Sequence, residues 1–303
     1  MTVAPNIHDQ PRDLRGVSFV FAAGVLWSTV GLGIRLIEDA QVWQILFYRS
    51  FSLTLLLYVV IRIRSRTSPF ALAFASGWTG LIGALSLIVA YTASIYAIQT
   101  TSVANAMFLF ASAPFLAAIL GLIFLRERVR PQTWAAIALA AVGISVMIWD
   151  KTGQSQWSGN VAALGSALGF AVFTITLRSG RAGETLPIVF LSGLIAVAGI
   201  AAYAISQGHS LRISPQDSTV ALAMGCFQVG AGLVLYTLGS KTVPAVELTL
   251  LTLSEVLLAP FWVWLVLAEI PSDYTIWGGT ILLIAITGNA LSGMRRKPTG
   301  LPK

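Results

Sequence analysis

Glu255 stands near the middle of a long apolar run, with Ser254 beside it and no basic residue in that run. A carboxylate in hydrocarbon costs about 2.5–3.5 kcal/mol on insertion scales, and such groups almost always face a cavity or a partner. Its expected chemistry is contact with a substrate ammonium group or uptake of a proton. The alternative is a protonated, hydrogen-bonded structural carboxyl. Arg49 is the other charge inside an apolar run. It lies about six residues, or roughly 9 Å of helix, from the nearer end, so its side chain is expected to snorkel to the interface. The expectation for Arg49 is to tie helices together, with binding of a substrate carboxylate as the alternative.

Other polar and aromatic residues recur at helical spacing. Asn105 and Ser112 are seven residues apart, as are Glu247 and Ser254, and two helical turns put each pair on one face. Gly225, Gln228, Gly232 and Tyr236 form a similar face, matched by Gly83, Ser86, Ala90 and Ser94, although small residues also serve close packing. Trp27 falls mid-run, flanked by Gly24, Ser28 and Gly31, and with Tyr91, Phe108, Phe170 and Phe173 it could form a wall that stacks flat or bulky molecules. The alternative for each ring is packing against lipid or a neighbouring helix. Trp43, Trp78, Trp134, Trp149, Trp157 and Trp277 lie near run ends, where an interfacial belt accounts for them. Glu127 and Glu269, also at run ends, fit salt bridging or capping better than catalysis.

These residues are positioned by ten apolar segments, roughly 15-36, 43-61, 77-98, 103-125, 132-149, 158-177, 187-206, 218-240, 244-267 and 274-293, each about long enough to cross a bilayer as a helix. Composition agrees. Of 303 residues, 56% are hydrophobic and 10% charged, with a mean hydropathy of +0.81, whereas soluble domains carry about 25% charged residues. The net charge of +7 could suggest nucleic acid, but the basic residues are scattered in small groups between segments, and topology explains them better. With the N-terminus inside, fifteen of the nineteen Lys and Arg residues fall on the inner side, Arg35, Lys151 and Arg212 fall outside, and Arg49 lies within a segment. That bias predicts cytoplasmic termini and strict alternation.

The polar tail 1-13 leads into a full segment with no small-residue cleavage site, so an uncleaved first helix is expected. The single cysteine, Cys226, excludes an intrachain disulfide, and His8 and His209 fall in a tail and a loop, so no metal or cofactor site is expected. A phosphate-binding loop is absent, and no nucleophile and base stand at usable spacing within the segments, which argues against an ATPase or other enzyme. Pro114 and Pro260 sit inside segments and predict kinks in both.

Shifting the chain by 142 residues pairs Gly83 with Gly225, Leu109 with Leu251, Ser112 with Ser254 and Glu127 with Glu269; a shift of 143 pairs Trp27 with Phe170 and Arg35 with Arg178. An odd number of crossings per half means that the second copy enters the membrane inverted, a layout of many secondary transporters. The run Ser102 to Ala106, Pro114, and Leu120 to Glu127 resembles the repeat of the EamA transporters in the drug/metabolite transporter superfamily, as do Val243 to Glu247, Ser254 with Glu255, and Leu265 to Glu269. The resemblance covers about residues 14–293. Val256 follows Glu255 where that family often has proline.

The resemblance implies an all-α membrane protein: ten transmembrane helices as two inverted five-helix repeats, 14-150 and 151-293, around a central cavity, with cytoplasmic tails 1-13 and 294-303. It also implies alternating access, a bacterial inner-membrane location, a monomer as working unit, and membrane lipid and a small-molecule substrate as partners. Members export amino acids, nucleosides, drugs or other metabolites, and size and aromatic content are closest to an aromatic amino-acid exporter of that family. The expected substrate-binding residues are Trp27, Tyr91, Asn105, Phe108, Ser112, Phe170, Phe173, Gln228, Tyr236, Glu247, Ser254 and Glu255. The expected cargo is an aromatic or large apolar amino acid, with another metabolite or a cationic drug as the alternative.

Overall fold

A computed structural model describes residues 14–150, 157–179 and 185–294. The tail 1–13, Lys151, Arg181 and the basic residues after Met294 therefore lie outside the described residues. Ten helical spans cover most of the rest: Leu14–Arg35, Val42–Ser65, Gly77–Thr100, Val103–Leu125, Pro131–Ile148, Trp157–Ser179, Thr185–Gln207, Pro215–Gly239, Glu247–Leu267 and Asp273–Ser292. All are helical because a backbone in hydrocarbon must satisfy its own hydrogen bonds. Their side chains follow suit: Ser86, Ser112, Ser192 and Ser254, for example, each donate to the carbonyl three residues back. Strands are absent among the described residues.

Small residues set how closely the spans approach. The third and sixth spans run antiparallel, with Gly83 against Thr176 and Gly169 against the Ser86 carbonyl, and Ser166 Oγ donates to the Ala90 carbonyl at 2.8 Å. The eighth and first spans meet likewise, with Gly239 against Gly16 and Gly232 against the Trp27 ring. Ala90 and Gly232, paired by the shift of 142 residues, each meet the neighbouring span closely, so the face read from the sequence as either cavity or packing is largely packing. The ninth span runs parallel to the first, through Gly24 against Ser254, and the fifth and tenth spans form an antiparallel pair through Gly143 and Gly278. Leu14 and Met294 end on one face of the bundle, called here the terminal face; the other is the distal face.

Three departures from regular helix concern the interior. The first span breaks at Thr29, where Ser28 and Thr29 both return their hydroxyls to carbonyls of the preceding turn. The fourth span breaks at Ala111 and Ser112, so Pro114 lies in the first turn of a new segment, Ala113–Leu125, where its missing N–H costs little. The ninth helix instead continues through Pro260, so the fourth span is interrupted near its proline and the ninth is not. The eighth span contains a π-helical stretch, Met224–Ala231, that includes Cys226. Sequence gave no sign of it. The wider turn leaves the Leu222 carbonyl to accept from Ser52 Oγ at 2.7 Å.

Off the membrane core, Asp217 at the start of the eighth span is 1% exposed and accepts the backbone N–H groups of Glu38, Asp39 and Ala40. It fastens the loop between the first two spans to the distal end of the eighth.

A Cβ at Gly143 would lie 2.6 Å from the Gly278 carbonyl, whereas one at Gly199 would meet nothing within 4 Å. Gly143→Val is expected to destabilise the fold by about 1–3 kcal/mol through overpacking. In detergent its melting temperature should fall below that of the Gly199→Val control, which carries the same change in helix propensity; equal melting temperatures would refute the close-packing account.

Candidate functional site

The centre of the bundle is assembled around the ninth span. At about 100° per residue, Glu255 falls between two sets of contacts on that helix. On one side Ser254 meets Gly24, and Trp262 Nε1 donates to Ser28 Oγ at 2.8 Å, both toward the first span. On the other side Ala259 and Val263 are buried with Val103, Ala106 and Met107 of the fourth span. Leu257 and Trp264 are exposed on the opposite side of the helix. Glu255 therefore points into the gap between the first and fourth spans. It keeps accessible surface there and makes no hydrogen bond or ion pair among the described residues.

Trp27 lines the neighbouring wall. Its ring lies 5.4 Å from that of Tyr236, and Gly232 leaves room for the indole. Gln228 Nε2 donates to the Trp27 carbonyl at 3.4 Å, while its buried Oε1 has no partner. Trp27, Tyr236, Gln228, Ser254 and Glu255 thus gather where the first, eighth and ninth spans meet. Trp262 belongs with them. The reading of the sequence passed over it because it follows Phe261 toward the distal end; its place two turns beyond Ser254 and Glu255 was the available signal.

The other expected residues lie elsewhere. Phe108 packs against Gly279 of the tenth span, and Phe173 is buried against Gly83 among the second, third, sixth and seventh spans. Phe170 contacts Phe173 at 5.8 Å and remains half exposed. Asn105 is fully buried at the distal end, where its amide donates to Thr101 Oγ1 and Asn160 Oδ1. Ser112 marks the break in the fourth span, and Glu247 lies in the first turn of the ninth helix, where a carboxylate complements the helix dipole. Tyr91 lies across the bundle, its ring centre 4.7 Å from the Arg49 guanidinium carbon. Arg49 does not reach the interface as expected. It is 4% exposed, because its helix face is directed into the third and eighth spans and the Tyr91 ring holds the cation there.

Two ion pairs bracket this interior. At the distal face Arg35 Nε donates to Glu269 Oε2 at 3.0 Å, and Glu269 Oε1 accepts the Val103 N–H at 2.7 Å, at the start of the fourth span. Arg35 also donates to the Thr101 carbonyl. One carboxylate thus joins the first, fourth and ninth spans. At the terminal face the corresponding residues, Arg178 and Glu127, pair at 2.5 Å between the sixth and fourth spans and are more exposed. No counterpart of the amide contact to Val103 forms there among the described residues. The distal end is the more tightly joined. Metal-ligating clusters are absent among the described residues.

Ten apolar spans, with a carboxylate at mid-depth and an ion pair at each end, fit a membrane transport protein. A family model described as "EamA-like transporter family" matches the chain twice, over residues 14–149 and 157–291; the chain belongs to that family and is a membrane transporter, not an enzyme. It is 26% identical to the protein RarD of Escherichia coli over 75% of each chain. It is 25% identical to the pseudopaline exporter CntI of Pseudomonas aeruginosa over 80% of this chain and 84% of that one. An uncharacterized transporter of the same organism is 26% identical over 60% of this chain, which spans 58% of that relative's length. A solved crystal structure shares the fold, with a TM-score of 0.65 at 18% identity over 92% of this chain and 98% of that one.

A double-mutant cycle of Arg35→Gln with Glu269→Gln, read by unfolding in detergent, should give a coupling of up to about 1 kcal/mol. Arg178→Gln with Glu127→Gln, at the more exposed pair, should give less. Glu269→Ala should cost more than Glu269→Gln, since glutamine can still accept the Val103 N–H; the reverse order would contradict the three-way contact.

Proposed function

We propose that this transporter exports small metabolites, with aromatic or large apolar amino acids as its cargo, by alternating access through the central gap. The observation that carries the reading is Glu255: an unpaired carboxylate at mid-depth on the helix whose Ser254 and Trp262 contact the first span, the span that carries Trp27. A carboxylate left without a protein partner in hydrocarbon is costly, and an ammonium group entering the gap would relieve that cost while the rings hold an apolar side chain. Trp27, Tyr91, Gln228, Tyr236, Ser254 and Glu255 are the proposed lining. Asn105, Ser112, Phe108, Phe170, Phe173 and Glu247 are proposed to act through the helices they brace or the ends of the path. The same carboxylate and rings would also suit a cationic drug or a nucleoside-like metabolite, which is the second reading.

In this proposal the two halves are inverted copies, and the ion pairs at Glu269 and Glu127 are alternating closures of one path. Both pairs are formed here; the distal one is also joined to the start of the fourth span and is the tighter closure, so the terminal face is the one expected to open first. The excess of Lys and Arg on the terminal side supports placing both termini in the cytoplasm, and the relatives support a bacterial inner membrane. The path lies within one chain, which supports a monomer as the working unit, with lipid around it.

Proteoliposomes loaded with labelled amino acids, nucleosides and cationic drugs test the cargo. Saturable flux is expected for aromatic amino acids; flux confined to drugs or nucleosides would replace the amino-acid reading with the second one. Glu255→Gln should fold as well as the parent, because it removes an uncompensated charge from the membrane interior, yet reduce flux at least about tenfold through loss of a charge-assisted contact. Equal flux by the variant at every pH would remove the charged role.

A further inference from the structure

Arg49 is the charge that the proposed path leaves unused. It lies in the second span, seven residues from the distal end at Val42, and the residues around it on that helix, Ile45, Leu46, Ser50 and Leu53, are buried. Arginine stays protonated in proteins and carries five N–H donors. Here its side chain donates no hydrogen bond among the described residues, and Nη1 is fully buried without an acceptor. The ion pairs among the described residues join other partners, Arg35 with Glu269 and Arg178 with Glu127. Stacking on Tyr91 offsets part of the cost of burying the cation, but a ring face satisfies none of the in-plane donors.

The eighth span packs closely on the backbone that carries this arginine. The π-helical stretch of the eighth span packs against it: a Cβ on Gly225 would collide with the Arg49 carbonyl and with Ser52 Oγ, which itself donates to the Arg49 and Leu222 carbonyls. Such stretches are frequent at functional sites. Three residues on, Gln228 presents its own buried, unpartnered oxygen and reaches the Trp27 carbonyl with its amide nitrogen. A donor without an acceptor and an acceptor without a donor thus flank the same stretch of the eighth span, whose other end meets Trp27 at Gly232. Burying a guanidinium in this way is costly unless an anion completes it.

We propose that Arg49, held by the Tyr91 ring, is the recognition site for an anionic group, a carboxylate, on the transported molecule. The inference rests on the transport reading and narrows its cargo to molecules that carry a carboxylate, whether or not they also carry an ammonium group for Glu255. Planar two-point hydrogen bonding makes arginine, rather than lysine, the suitable cation.

The test uses purified full-length protein in detergent and reads the rise in melting temperature against concentration for indole-3-propionate, tryptamine and tryptophan, three probes that share a ring and differ in charged groups. The parent protein should respond to indole-3-propionate and tryptophan. Arg49→Gln should weaken both by on the order of tenfold to a hundredfold, and Arg49→Lys by less, while the response to tryptamine is kept. Tyr91→Leu should weaken the carboxylate probes, and Tyr91→Phe should not. Should Arg49→Gln fail to fold, Arg49→Lys and the two Tyr91 variants carry the comparison. A parent that responds to tryptamine but to neither carboxylate probe overturns the proposal and leaves transport of cations standing. Equal responses of the parent and Arg49→Lys or Arg49→Gln to indole-3-propionate overturn it too, with amino-acid transport intact. A parent that responds to none of the probes also overturns it, and the separate flux assay then tells whether the transport reading fails with it.

Discussion

A hydrocarbon interior supplies no hydrogen-bond partner, and the arrangement of this protein depends on that constraint. It makes each crossing a helix, turns serines and threonines back onto their own carbonyls, and pairs Asn105 with Asn160 and Thr133 with Asn289 across spans. With so many polar groups satisfied locally, the few that are not stand out by energy alone. Glu255, Arg49 and the Gln228 oxygen are among the groups for which the described residues offer no hydrogen-bonding partner at depth. They come from three different spans, and all three border the interior rather than lipid.

Close packing and chemistry divide the bundle between them. Glycine contacts pull the third span onto the sixth and the eighth onto the first, so each of these pairs is a tightly joined unit. Charged contacts sit at the ends of the helices that cross between such units, where Glu269 gathers three spans and Glu127 joins two. A tight glycine interface changes little under modest motion, whereas an ion pair near water is broken and remade at small cost. The distribution of contact types therefore places stiffness along the helix pairs and compliance at the two faces.

Much of this was legible in the residues. Ten runs of apolar residues and the lopsided distribution of arginine and lysine foretold the number and alternation of the spans, because length and charge are direct responses to a bilayer. Depth alone singled out Glu255 and Trp27. What could not be read was direction. Phe108 and Trp27 look alike in sequence, yet one rests on Gly279 and the other on Gly232, and only the three-dimensional approach of another span decides which. The π-helical stretch left no sign in the apolar periodicity; it lies where Gly225 meets the Arg49 carbonyl and Ser52. Asp217 lies just outside the apolar run 218-240 and drew no expectation, since its three backbone donors lie some 180 positions earlier in the chain. Arg49 was expected to seek water because its helix position allowed it; the Tyr91 ring and the tight fit of the eighth span hold it inside.

Cys226 follows directly after Gly225, the residue whose missing side chain lets the eighth span rest on Arg49. It is also the only thiol in the sequence and is partly accessible. The sequence thereby offers a single labelling point one residue from that contact. A spectroscopic probe attached there would report on the local geometry of that contact without any engineered background.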